Sequence, residues 1–138
     1  MGQQQILLLI LSVILIMAAS VIGFSMFQSY AMQNSLDIVI SDLHNFAPMA
    51  YSYRATPITE GGGGNTFLGF ENYFGLLPDA LKKNRIATYV IEGQVEADRI
   101  VIRAITNDSK ADSNMDRWIL IKGDGTIEIL SQFNTSRQ

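Results

Sequence analysis

The chain has no cysteine among its 138 residues. Disulfide cross-links, thiol nucleophiles and cysteine–zinc sites are excluded together, so an exported domain of this sequence has to be held by core burial or by its neighbours. Histidine is nearly absent as well, His44 being the only one. Imidazole catalysis needs a nucleophile or carboxylate aimed at the ring, and nearby Asp37, Ser41 and Asp42 give no familiar arrangement. His44 reads as an exposed helix residue. All ten Lys and Arg lie from Arg54 onward, scattered along the chain. A net charge of −3 is too mild to call for nucleic acid or another charged polymer as a partner.

Charge of either sign is missing from Ile6 to Phe27, which reads ILLLILSVILIMAASVIGFSMF. An apolar run of about twenty residues crosses a bilayer as a helix, reaching about 33 Å against a hydrocarbon core of about 30 Å. A secretory signal has a basic start and an apolar stretch of about 7–15 residues. This run has no basic start and is longer, so a retained helix is expected. Gly2 is present, but Ile6 stands where N-myristoylation wants Ser or Thr. The first charges after the span are Asp37 and Asp42; the absence of nearby cations permits the C-terminal domain to lie outside.

Beyond the span, Leu36, Val39, Ile40, Leu43, Phe46, Ala47 and Ala50 follow the spacing of one helical face. Asp37, Ser41, His44 and Asn45 take the opposite face. Gln28 to Ser35 holds no proline or glycine, so one helix is expected from about residue 3 to residue 53, apolar all round and then amphipathic. Pro48 predicts a kink, or a helix end near Ala47. Thr56 to Thr66 (TPITEGGGGNT) reads as a flexible linker. Phe67 to Leu77 is aromatic and broken by Gly69 and Gly75, and Pro78-Asp79 starts a short helix through about Asn84.

The last third reads as four strands: Ile86–Glu92, Arg99–Thr106, Arg117–Lys122 and Thr126–Phe133, with Gly123-Asp124-Gly125 as a hairpin signal. Short links make them an antiparallel meander whose apolar face needs a cover, and the amphipathic half of the long helix supplies one. The fold class is α+β, with a helical part at 1–54 (span 6–27) and a globular head at 55–138. Leu36, Ile40, Leu43 and Ala47 on the helix are expected to pack on Ile100, Ile102, Ile119 and Ile121 of the sheet.

Three patterns imitate chemical sites. Gly61–Gly64 lacks the Lys-Ser/Thr ending and the strand–helix setting of a phosphate loop. Asp108, Asp112 and Asp116 lack the glycine and terminal glutamate of an EF-hand and read as solvated turn acids. Asn107-Asp108-Ser109 and Asn134-Thr135-Ser136 match the N-glycosylation pattern, which is common by chance. No catalytic residue, metal site or cofactor is expected. Phe24, Phe27 and Tyr30 fit an interfacial belt or helix packing.

An apolar N-terminal helix, an amphipathic continuation, a glycine-rich loop and a terminal antiparallel sheet together resemble type IV pilins and the pseudopilins of type II secretion. The resemblance covers the whole chain in layout and the N-terminal fifty or so residues in detail. It implies a ladle-shaped subunit, a helical homo-oligomeric filament cored by the long helices, and residence in the inner membrane before extrusion to the cell surface. It implies assembly machinery and a prepilin peptidase as partners. The residues it places in subunit packing are Met1, Gln5, Leu8, Leu11, Leu15, Ala19, Gly23, Phe24 and Phe27. Ala19 and Gly23 have the small-xxx-small spacing of close helix approach. Ile38 and Met49, off the sheet-facing stripe, are placed to touch a neighbour. No basic leader of the family's kind is visible before Ile6, and the family's C-terminal cysteine pair is absent from these 138 residues. With Met1 as the first residue, Gln5 stands where the family has a glutamate that pairs with a neighbour's terminal ammonium; with processing after Gly2 the chain starts at Gln3 and position five is Leu7, so the register device is altered either way. The alternatives are a minor pseudopilin, or a single-span anchored envelope domain that binds a partner without polymerising.

Overall fold

The computed structural model describes residues 2–107 and 115–132. The chain divides into two compact units, Met1–Ser35 and Leu36–Gln138. Helix α1 spans Gly2–Ala55. Its portion in the first unit is rich in Leu, Met, Ala and Gln, which are good helix formers, and no proline precedes Pro48. The serines there turn inward on the helix. Ser12, Ser20, Ser29 and Ser35 donate to the carbonyl four residues back, and Ser25 to the one three back, at 2.7–3.1 Å. A hydroxyl satisfied in this way loses little on entering an apolar medium.

In the second unit the rest of α1 is followed by a 3-10 turn (Ile58–Glu60), α2 (Phe70–Leu76), α3 (Asp79–Lys82) and strands β1 (Ala87–Ile91), β2 (Arg99–Thr106), β3 (Arg117–Lys122) and β4 (Ile127–Leu130). The strands pair antiparallel in sequence order. Register sets Tyr89 opposite Ala104, Ile102 opposite Ile119, and Ile121 opposite both Ile100 and Ile127. Alternation then places Ala87, Tyr89, Ile100, Ile102, Ala104, Ile119 and Ile121 on one face, buried against α1. Phe67, Phe70 and Phe74 close the same core, with Phe46 of α1 at 5.2–5.6 Å from the Tyr89 and Phe74 rings. The architecture is α+β, a long N-terminal helix packed on a C-terminal four-stranded antiparallel sheet.

Several local expectations change. The helix does not stop at Ala47: it runs through Pro48 to Ala55, with Pro48 on the exposed side. There the bond lost to the missing N–H faces solvent instead of the core. Strand β4 is shorter than expected. The polar loop Asp108–Asn114, Met1, Phe133 and most of both glycosylation triplets lie outside the described residues.

The larger correction concerns Thr56–Thr66, which is a packed turn and not a flexible linker. Its amides return to the end of α1: Gly63 N–H donates to Tyr53 O at 2.9 Å and Asn65 N–H to Arg54 O at 2.8 Å. Arg54 answers through Nε to Asn65 O at 2.8 Å, and Thr56 Oγ1 donates to Ser52 O. The last carbonyls of a helix lack partners within it, and this loop supplies them. Gly63 is buried, and a Cβ there would overlap the Thr66 carbonyl oxygen; one on Gly62 would overlap Thr56. The glycines are there for close approach.

Gly63→Ala is expected to destabilise the folded head by about 1–3 kcal/mol through overpacking. Gly75→Ala, on α2 with nothing near its would-be Cβ, is expected to stabilise by about 0.5–1 kcal/mol. Denaturant melts of the two variants in detergent should move in opposite directions.

Candidate assembly surface

The residues expected to pack between subunits lie on the apolar part of α1, and Met1 among them lies outside the described residues. Gln5, Leu8, Leu11, Leu15, Ala19, Gly23, Phe24 and Phe27 are all exposed. Leu11, the least accessible of the large ones, is 49% exposed and Phe27 is 70%. Exposed Ile, Leu, Val and Met run around the whole circumference from Ile6 to Met32. This helix is long and apolar enough to cross a membrane, and none of its apolar window is buried by the chain. A cofactor cleft would gather side chains on one wall; this surface is uniform and convex. What it can do is bury itself against lipid or against like helices.

On the other half of α1, Leu43 and Ala47 are buried with Ile100, Ile102, Ile119 and Ile121 in one cluster. Leu36 and Ile40 are only half-buried and stand outside that cluster. The covered stripe is Val39, Leu43, Phe46, Ala47, Ala50 and Tyr53. At about 100° per residue, Ile40 falls on the edge of that stripe, and Leu36 lies one turn before it begins. Ile38 and Met49 are half-buried, Met49 packing against the core.

Sequence reasoning missed the polar ties that orient α1 on the sheet. Asp42 Oδ2 accepts from Tyr89 Oη at 2.7 Å and from Asn84 Nδ2 at 2.6 Å. Burial, then the bond to Asp42, pushes the Tyr89 phenol well above its ordinary range. Tyr51 Oη donates to Lys122 O at 2.7 Å, and burial raises that phenol too, helped by Asp124 and opposed by Arg54. Arg54 pairs with Asp98 at 3.3 Å and lies 5.2 Å over the Phe67 ring. The pairing of an acid on α1 with a phenol on β1 carried no periodic signal, because Asp42 and Tyr89 are far apart in sequence.

Asp116 is buried, contrary to its expected place among solvated turn acids. It pairs with Arg103 at 2.7 Å, and Glu92 approaches the same guanidinium at 3.5 Å. The Asp116 bond and both negative charges raise the Arg103 pKa, against a smaller opposing effect of burial. Arg103 also lies 5.2 Å over the Trp118 ring. Saturated by two carboxylates, this cation is structural. His44 is exposed, with Nδ1–H donating to Ile40 O at 2.9 Å. Among the described residues no three His, Cys, Asp or Glu side chains converge as metal ligands. An open groove of about 540 Å³ lies beside β1, lined by Phe74, Gly75, Lys83, Tyr89 and Ile91 among others.

Comparison with family models, with curated proteins and with solved structures finds no match. The class rests on architecture: a long apolar N-terminal helix packed on a four-stranded antiparallel sheet is a pilin-like fold, and its helix is membrane-capable.

The raised Tyr89 pKa makes a pH prediction. An unfolded tyrosine ionises near pH 10, and the folded one holds its proton beyond that. Its contribution is full below about pH 10 and is lost as pH rises further, because the unfolded state releases the proton first. Alkaline denaturant titrations should show stability falling above about pH 10. Tyr89→Phe should flatten that fall while lowering stability at pH 7 by about 1–2 kcal/mol for the lost bond to a charged group.

Proposed function

We propose that the chain is the structural subunit of an extracellular type IV pilus-like filament, polymerising through the apolar half of α1. One observation carries this reading: from Ile6 to Met32 the helix offers apolar side chains on every side, and its own chain covers none of its apolar window. A bilayer and a bundle of identical helices are the two media that satisfy such a surface. Lipid is the waiting state, in the inner membrane. Assembly machinery, with a prepilin peptidase for maturation, transfers the helix into the filament core at the cell surface.

Association within lipid has little hydrophobic drive, so close packing at Ala19 and Gly23 matters there. Outside the bilayer the alternative is water, and burying each Leu or Ile is worth about 1.5–3 kcal/mol. With the exposed aliphatic residues running from Ile6 to Ile22, dissociation into water is strongly opposed. The five serines do not weaken the argument, since each is satisfied on its own helix. The subunit works as a scaffold, without a catalytic residue or cofactor.

Leu11→Asp and Gly23→Leu are expected to abolish filaments in sheared surface material while the head stays folded by circular dichroism. The first places a charge in an apolar core, at about 2.5–3.5 kcal/mol on membrane scales, and the second fills the close-approach site. Filaments at normal yield from both would sink the reading. Scarce protein in the sheared fraction that still primes assembly would mark a minor pseudopilin. Monomeric protein that shearing never releases would mark an anchored binding domain.

A further inference from the structure

The sheet of the head has two open edges, because the strand order leaves β1 and β4 each paired on one side only. In an antiparallel ladder alternate residues turn both backbone groups to the partner strand, and the residues between turn theirs away. Glu92 N–H donates to Val101 O at 2.9 Å and Asn107 N–H to Ile86 O at 2.8 Å, so Tyr89 and Ile91 turn away from β2. Lys122 N–H donates to Thr126 O at 2.9 Å, so Ile127 and Ile129 turn away from β3. Neither residues 89–91 nor β4 carries a lysine, a proline or a bulge, three of the devices that blunt an exposed edge. The start of the β1 edge is already taken. Asn84 uses both backbone groups of Ala87, at 2.7 and 3.0 Å, and Lys83 bridges to Thr88.

The two edges match in direction, face and register. With four antiparallel strands, β1 and β4 run in opposite directions, so β4 of one copy lies antiparallel to β1 of an identically oriented copy. Tyr89, Ile91 and Ile129 point to the face that α1 covers, and Ile127 stands opposite Ile121 on that face. A joined sheet therefore keeps α1 on one side. Pairing Ile91 with Ile127 and Tyr89 with Ile129 sets Val90 opposite Glu128. A shift of two residues one way puts Glu128 opposite Glu92, like charge against like. A shift the other way needs the backbone of Ala87, which Asn84 holds. In the remaining register Lys83, across from Thr88, lies two places along from Glu128 on the same face. Lys83 is exposed and has no ion pair among the described residues. The open groove of about 540 Å³ follows this edge, between Ile91 and Tyr89 on one side and Phe74 and Gly75 on the other. It has room for the Ile127 side chain, which is 38% exposed on its own copy.

We infer that the heads of neighbouring copies join edge to edge, β4 of one adding to β1 of the next, so that one sheet continues from copy to copy. Main-chain hydrogen bonds hold such a joint, and the groove and the Lys83–Glu128 pair select its register. The contact is heterologous, since each joined copy still offers a free β1 or β4 to another. It uses the head alone and does not rest on the filament reading, which concerns the apolar half of α1.

Because the chain has no cysteine, introduced cysteines alone report the contact. Val90 and Glu128 stand on opposite edges, three strand spacings or about 14 Å apart, too far to bridge inside one chain. In the joint their Cα atoms come to about 4.5 Å. Full-length protein in its membranes, with Val90→Cys on one set of copies and Glu128→Cys on a differently tagged set, should give mixed dimers on mild oxidation. The doubly substituted chain should give a ladder of larger products. Glu92→Cys with Glu128→Cys, two residues out of register, should give much less. Ile127→Pro removes a donor that turns away from β3, and should lower the mixed-dimer yield by about two- to tenfold while the head stays folded by circular dichroism. If that head unfolds, Ile91→Pro tests the joint from the β1 side. Absence of mixed dimers, equal yields in the two registers, or Val90→Cys dimerising as well alone as in the mixture overturns the inference. Capture of Val90→Cys by a different protein in place of a second copy overturns it too, and marks the edge as a site for a foreign strand. Mixed dimers without sheared filaments support the joint and count against the filament reading alone. Filaments without mixed dimers overturn the joint alone.

Discussion

A four-stranded sheet with one apolar face cannot stand by itself, and everything in the head depends on the cover that α1 provides. The stripe Val39, Leu43, Phe46, Ala47, Ala50 and Tyr53 meets Ile100, Ile102, Ile119 and Ile121 in a single cluster. With no disulfide available, this burial is the main favourable term. The aromatic rings on α2 and the segment before it extend the cover past the end of the helix. Asp42 with Tyr89, Tyr51 with Lys122 and Arg54 with Asp98 fix the orientation of α1 on the sheet. Apolar contact supplies the strength, and these bonds supply the alignment.

The same helix carries two surfaces with opposite requirements. From Val39 onward its apolar side chains are satisfied within the chain, and polar residues face water. From Ile6 to Phe27 the apolar residues occupy all sides, and the serine hydroxyls there fold back on the helix. A core helix of a soluble protein would show one stripe throughout. Here the change from an all-round to a one-sided pattern marks where the chain's own sheet begins to cover the helix.

Much of this was legible because it is periodic. The alternation in Arg99–Thr106 and Arg117–Lys122 gave both strands with their observed ends, and the span announced itself by length. The stripe on α1 was legible in spacing: Val39, Leu43, Phe46, Ala47 and Ala50 are all buried, while Leu36 before its start and Ile40 at its edge are half-buried. The tetraglycine run misled because glycine has two physical uses, freedom and close approach, and only the neighbours at Tyr53, Thr56 and Thr66 decide between them. Asp116 was hidden for a similar reason: its partner Arg103 lies on the adjacent strand, and pairing across a sheet depends on register.

The packed glycine turn has a mechanical consequence. Carbonyls at the end of a helix point along its axis. Tyr53 and Arg54 offer theirs to Gly63 and Asn65, so tension applied along α1 loads those bonds lengthwise, while the stripe on the sheet is loaded in shear. Many weak contacts in shear yield together, whereas bonds pulled end-on yield one at a time. With no covalent clamp in the chain, resistance of the head to being drawn out by its own helix is spread over the sheet contact, and the small turn acts as a stop at its end.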